Sequence, residues 1–328
     1  MANPGIAVLA LGGTIAMRPV DAGAVPSLCA EDLVAMLPEG AARLVAKVEN
    51  FRQLPGAHLS LDDLVALAAR IEEMYRGGAV HGFVVVQGTD TIEETVFALE
   101  ILLSGPAPVV VTGAMRHAGQ VSPDGAANIS NSLQLAASLQ ARDRGAMVCF
   151  NDEIHPAWAV QKTSATNPSA FSSPGLGPIG HVIEGRPRFL ATTERWPSVC
   201  SGPLANKPAK VAIVTASLGE GPDLLSAVAG SAYQGLVVQA TGAGHLPQAW
   251  VEPLGRLAKE IPVVLATRVS RGPVLGGTYA FPGSESDLLS RGLISAGFLC
   301  ASKARILLSM ALAAGCGETQ LRTLFDRP

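Results

Sequence analysis

Three short segments of this 328-residue chain set glycine beside hydroxyl or charged side chains: Gly12-Gly13-Thr14, Gln87-Gly88-Thr89-Asp90-Thr91 and Thr112-Gly113-Ala114-Met115-Arg116. Each closes an apolar, β-branched run, so each reads as the turn that leaves the carboxyl end of a strand. In open α/β sheets ligands bind at that end, where strand order reverses. Glycines there let the backbone approach a ligand, and neighbouring hydroxyls can point into the crevice. Gly88-Thr89-Asp90 then enters a helical stretch through Thr91, which sets backbone N–H groups and the positive end of a helix at the same point. This suits a developing oxyanion or the carboxylate of a small amino acid. Taken singly, Gly-Thr after a strand is ordinary turn and cap chemistry. Two threonines at two strand ends, one followed at once by an acid and a helix, point to a site.

The elements that must position these turns are legible as alternating runs. Strands are expected at Ile6–Leu11, Leu44–Val48, Phe83–Gln87, Val109–Thr112, Ala146–Phe150, Val211–Thr215, Leu236–Gln239 and Val263–Thr267. Most are apolar throughout, as in parallel sheets covered on both faces. Helices are expected from Ser60, an N-cap followed by Asp62 and Asp63, to about Arg76. Others are expected over Thr91–Ser104, Asp124–Ala141, Pro222–Ser231, Pro247–Lys259 and Lys303–Ala314. The alternation predicts an α/β protein: a larger N-terminal doubly wound, mostly parallel sheet domain with right-handed crossovers, and a smaller C-terminal parallel α/β domain. Between Trp158 and Ala209 prolines break the pattern, with short extended pieces at His181–Ile183 and Phe189–Ala191 that read as an antiparallel edge. The domains are therefore expected at 1–192 and 209–328, joined by a linker over 193–208.

Composition narrows the function classes. Apolar residues make up 48% of the chain, charged ones 16%, and 24 Lys+Arg stand against 27 Asp+Glu. No basic block exists to meet a nucleic acid, and no apolar run approaches the ~20 residues of a membrane-spanning helix. A small molecule is the expected partner. Five scattered cysteines without a CxxC pair, and a start (MANPGIAVLALGGT) without a basic n-region, read as a cytoplasmic chain. The histidines lack ligand spacing, so no metal is expected; His58 and His245 are the two that could line a pocket. Gly175–Gly180 fits GxGxxG by letter, but no clear strand precedes it and Pro178 interrupts the helix it should open, so no dinucleotide site is expected. Glu93-Glu94 reads as an acidic first turn favoured by the helix dipole, and Asp124 and Asn128 as an N-cap and a packing contact.

LALGGTIAM, VVVQGTDTIEET and VVVTGAMRHAGQVSPDGAANISNSLQLA, with Lys162 and the later ESDLLSRGLISAGFLCASKARILL, resemble the bacterial-type L-asparaginase/glutaminase family of amidohydrolases over essentially the whole chain. GTDTIEET with TGAMR at this separation is specific where Gly-Gly-Thr alone is not. The resemblance implies ammonia release from the side-chain amide of a free amino acid, L-asparagine to L-aspartate first of all. It implies Thr14 as the nucleophile, Thr89 as the second threonine, Asp90 as the holder of the substrate's α-ammonium, and Lys162 as a proton relay with Asp90 for Thr89. It further implies that Gly13, Gly88, Ala114 and the loop Gly56-Ala57-His58 bind substrate. Glu285 would complete a neighbouring subunit's site, and His245 and Tyr279 would bind substrate, in a homotetramer of close dimers needing no metal or organic cofactor. A lysine relays protons only if its ammonium can lose one, and a nearby carboxylate opposes that, so Lys162 and Asp90 should form a tightly coupled pair.

The chain departs from the family pattern at several positions. Leu11 replaces a threonine, Gln87 a histidine and His245 an asparagine, while Gly56-Ala57 stand where polar substrate anchors are usual. No tyrosine occurs between Met17 and Leu33, where the family carries an activating one; of Tyr75, Tyr233 and Tyr279, only Tyr279 is placed to substitute. An amidase preferring glutamine or D-asparagine, or an amino-acid-binding protein of the same fold with weak or no turnover, are the alternatives.

Overall fold

A computed structural model describes residues 5–13, 15, 17–20, 23–26, 29–200 and 202–327, with the backbone alone for 17–20 and 23–26. The chain divides into two compact units, Met1–Ser198 and Val199–Pro328.

In the first unit the strands are β1 (Ile6–Ala10), β2 (Met17–Val20), β3 (Gly23–Pro26), β4 (Val45–Asn50), β5 (Gly82–Val86), β6 (Val109–Thr112), β7 (Ala146–Phe150), β8 (Glu153–Pro156), β9 (Gln161–Lys162), β10 (Phe171–Ser172), β11 (Gly180–Ile183) and β12 (Arg186–Phe189). Its helices are α1 (Ala30–Ala35), α2 (Glu39–Ala42), α3 (Leu61–Arg76), α4 (Ile92–Leu102) and α5 (Gly125–Ala137). Eight strands form one sheet in the order β12-β11-β8-β7-β6-β5-β1-β4. The five from β7 to β4 are parallel and the three at the other edge antiparallel. The continuous apolar runs of β1, β5, β6 and β7 are wholly buried, while β4 at the edge is half-exposed. Two-residue ladders pair β9 with β10, and a separate hairpin pairs β2 with β3. Ser60 caps α3 as expected: its hydroxyl accepts from the Asp63 N–H at 3.2 Å, and Asp63 returns a bond to the Ser60 N–H.

Strand order reverses at β1. The chain passes from β1 to β4 on one side, then back across to β5 on the other, so the turns after β1 and β5 flank the switch point.

The expectation of uniformly right-handed crossovers fails. Helix α5 packs Ile129 and Leu133 into one cluster with Val84, Val86, Val110, Met147 and Cys149, one face of the sheet, together with Leu33 of α1 and Ala41 of α2. No residue of α4 belongs to that cluster; α4 packs on β6, β7 and α3. The successive connections β5-α4-β6 and β6-α5-β7 thus run in the same direction on opposite faces, and so have opposite hands. The long loop 113–124 between β6 and α5 gives the chain room to change faces.

Asp124–Ala141 is not one helix. Ser138 is extended (ψ 130°) and ends α5, and residues 139–141 form a separate 3-10 turn. Asp124 does not cap α5 with its side chain but accepts the N–H groups of Met115 and Arg116 at 3.1 and 2.8 Å. The strand expected at Phe189–Ala191 lies earlier, at β12, and β8 to β10 were not anticipated. Gly175 and Gly177 take positive φ in a turn that leads to β11 rather than a helix.

Glu100 of α4 is buried and gathers two distant backbone groups: Oε2 accepts from Ala146 N–H at 2.6 Å and Oε1 from Trp196 N–H at 2.8 Å. The Trp196 ring meets Phe97 edge-on at 5.7 Å. Within residues 193–208, the part up to Ser198 is held in this way on the first unit. Ala209, just beyond, donates to the Ser309 carbonyl within the second unit.

The second unit holds β13 (Val211–Thr215), β14 (Gly235–Ala240), β15 (Val263–Thr267) and β16 (Ile294–Ser295), all parallel in that order. Its helices are α6 (Asp223–Ala229), α7 (Gln248–Leu257), α8 (Glu285–Ser290), α9 (Ala301–Ala313) and α10 (Glu318–Phe325). Trp250, Leu254 and Leu257 of α7 and Leu225 of α6 pack on one face, while α9 packs against β13, β14 and β15 without joining that cluster. Among the described residues no helix is long and apolar enough to cross a membrane.

Candidate active site

At the switch point three turns press backbone against backbone. Gly13 has φ +87°, and a Cβ there would lie 2.0 Å from the Gly88 nitrogen. Gly88 in turn faces Gly56, with a Cβ on Gly88 only 3.1 Å from the Gly56 nitrogen. Side chains are excluded because three chain segments meet within van der Waals contact. Thr91 ties two of these turns, its hydroxyl donating to the Gly56 carbonyl at 3.1 Å and accepting from Gln87 Nε2 at 3.2 Å.

Thr89 and Asp90 stand on a 3-10 turn, Thr89–Thr91, that opens into α4. Lys162 arrives from β9, far along the chain. Its Nζ donates to Thr89 Oγ1 at 2.9 Å and to Asp90 Oδ1 at 2.9 Å. Thr89 is 5% exposed. The Lys162 side chain is 18% exposed and that of Asp90 65%, so the carboxylate stands largely in solvent. As an ammonium, Lys162 gives protons to both neighbours. It could take the Thr89 proton only after losing one of its own.

The remaining expected residues fall as follows. Thr14 lies outside the described residues. Gly56, Ala57 and His58 form one 3-10 turn, with Gly56 buried and the other two exposed. Ala114 is fully buried with the sheet's core cluster. Asn128, expected as a packing contact, donates from Nδ2 to the Gly113 carbonyl at 3.0 Å and accepts from the Asn151 N–H at 3.0 Å, which fixes the turn after β6. The roles of Thr91 and Asn128 leave no mark in sequence, because their partners are remote along the chain.

His245, Tyr279 and Glu285 come together in the second unit. Glu285 is fully buried; Oε1 accepts the N–H groups of Thr278 and Tyr279 at 3.0 and 2.8 Å, and Oε2 lies 3.2 Å from His245 Nε2. Burial alone would raise its carboxyl, but the Tyr279 and Thr278 N–H groups and the neighbouring His245 outweigh it and hold the group below the usual carboxylate range. The His245 ring meets Tyr279 and Phe281 edge-on, with centroids 4.7 and 5.1 Å away. Among the described residues no group of histidine, cysteine and carboxylate side chains could hold a metal ion.

Comparison with known proteins extends along the whole chain. Residues 5–195 match the family model described as asparaginase, N-terminal, and residues 210–325 that of the glutaminase/asparaginase C-terminal domain. The chain is 35% identical over 331 residues to "Probable L-asparaginase" of Deinococcus radiodurans, spanning 99% of this chain and 98% of that one. To "L-asparaginase 2" of Escherichia coli it is 30% identical over 336 residues, spanning 100% and 94%. The crystal structure of a "Probable Cytoplasmic L-asparaginase" from Campylobacter jejuni superposes with a TM-score of 0.88 at 29% identity, over 99% of this chain and 100% of that one. Matches through both units, on a chain whose threonine, aspartate and lysine meet beside the sheet's switch point, make this protein a member of the asparaginase family.

Proposed function

We propose that this protein hydrolyses the side-chain amide of L-asparagine to L-aspartate and ammonia. The observation that carries the reading is Lys162 Nζ held 2.9 Å from both Thr89 Oγ1 and Asp90 Oδ1, at the strand ends where an α/β sheet binds its ligand. The names of the relatives from Deinococcus radiodurans, Escherichia coli and Campylobacter jejuni support the choice of amide.

In this reading Thr14 Oγ attacks the amide carbon, the C–N bond breaks, and ammonia leaves with the proton taken from the hydroxyl. Water then cleaves the β-aspartyl ester and restores Thr14. A threonine hydroxyl is barely ionised at neutral pH and needs a base or a relay; Lys162 with Asp90 supplies the relay for Thr89. Asp90 also faces the substrate's α-ammonium. Backbone N–H groups over Gly88–Asp90 hold the oxyanion, a role worth about 3–4 kcal/mol per donor where it has been measured. Gly13, Gly56, Ala57, His58 and Ala114 line the pocket. Glu285, with His245 and Tyr279, serves the site of a neighbouring subunit in a homotetramer. The cytoplasm is the working compartment; the free thiols of Cys29, Cys149, Cys300 and Cys316 are in keeping with it.

Ammonia release from L-asparagine, L-glutamine and D-asparagine tests the reading directly. L-asparagine turnover that Thr14→Ala and Thr89→Ala each abolish is the expected result. Tight amino-acid binding without ammonia would replace the enzyme by a binding protein. Faster release from glutamine would change the substrate, since a pocket separates one methylene by only about 1–3 kcal/mol.

A further inference from the structure

We propose that Glu93 is a positioning residue for Lys162, holding its main chain while Thr89 and Asp90 hold its side chain. This deepens the hydrolase reading and rests on it. Lys162 lies on a two-residue strand that pairs, among the described residues, only with β10. The next residue turns inward, Thr163 N–H donating to the Ala170 carbonyl at 2.7 Å. The Lys162 N–H points the other way, and Glu93 Oε2 accepts it at 2.6 Å.

Glu93 sits in the first turn of α4, a helix buried along nearly its whole length. The five residues 89–93 therefore grip Lys162 at both ends, the ammonium through Thr89 and Asp90 and the backbone through Glu93. A lysine has a flexible four-carbon stem, so where its Nζ rests depends on where its Cα is anchored. A two-strand ribbon in a proline-rich stretch is a weak anchor by itself. The carboxylate transfers that task to the sheet-bound helix.

The helix-dipole role expected from sequence makes opposite forecasts for two conservative variants. Glu93→Gln removes the charge and keeps an acceptor oxygen. Glu93→Asp keeps the charge and falls one methylene short of the Lys162 N–H. Positioning predicts that Gln stays within about threefold of wild-type kcat on L-asparagine. Asp and Ala should lose about 10- to 100-fold in kcat with KM within twofold, the scale of a misplacement near 1 Å. Asp close to wild type with Gln as poor as Ala, or Ala within twofold of wild type, would overturn the proposal. If wild type releases no ammonia, the hydrolase reading fails instead, and crystal structures of wild type and Glu93→Asp decide the positioning claim. Lys162 Nζ displaced from Thr89 Oγ1 in the Asp variant upholds it; an unmoved Nζ refutes it.

Discussion

Gly13→Ala is the sharpest probe of the switch-point geometry. A Cβ at Gly13 would stand 2.0 Å from the Gly88 nitrogen and 2.1 Å from its Cα, where ordinary contact begins at 3.4 Å. Both neighbours are backbone, so no side chain can swing aside, and the two turns must part by more than an ångström. The positive φ of +87° adds a left-handed penalty of about 1–2 kcal/mol for a residue with a Cβ. Forcing an extra methyl into packed structure adds about 1–3 kcal/mol. The sum, roughly 2–5 kcal/mol, should lower Tm by about 5–15 °C for a unit of this size. Activity should fall further than stability explains. In the proposed reaction the next residue along the chain, Thr14, is the nucleophile, and a shift of this order would cost about 100-fold in kcat/KM. The matched control is Gly40→Ala, in α2, where a Cβ meets nothing within 4 Å; it should be neutral or stabilising by up to about 1 kcal/mol. Calorimetry and steady-state ammonia release on both variants read the result. Gly13→Ala with wild-type Tm and kcat/KM would refute the close approach of the turns after β1 and β5.

Two further outcomes separate chemistry from stability. Lys162→Met should lose about 100- to 10,000-fold in kcat, the range for a positioned proton-transfer group. Thermal scans should show almost no change, because an ion pair whose carboxylate is 65% exposed is worth about 0–1 kcal/mol. Glu100→Gln should do the reverse, destabilising by about 2 kcal/mol, or roughly 4–8 °C, with kcat retained. The amide has one acceptor oxygen for two backbone N–H groups. Burial raises the Glu100 carboxyl against the pull of Ala146 N–H, Arg195 and Trp196 N–H. The folded state then binds more protons than the unfolded one above the ordinary carboxylate pKa, so this group's contribution declines as pH rises through that window. The stability gap between wild type and Glu100→Gln in urea should narrow from pH 4 towards neutrality.

What the sequence determined by itself was the local grammar. Runs such as IAVLA and AMVCF read as strands buried on both faces, and Ser60 with Asp63 as the opening of a helix, and they are so. Glycines after three strand ends announced turns that no side chain could enter, so the α/β class and the region of the site were legible. Tertiary structure decided the rest, because the deciding contacts join residues that no short-range period relates. That Asp90 stands largely in solvent could not be read from its neighbours in sequence, since exposure depends on what packs over the turn. Glu93 read as a dipole partner for its own helix; only the fold brings it a backbone N–H from 69 residues away. Glu100 reads as one more helical acid until α4 is laid on the sheet, where it binds Ala146 and Trp196. The opposite hands of the α4 and α5 crossovers were equally invisible, because periodicity shows that a helix has an apolar face but not which side of the sheet that face covers.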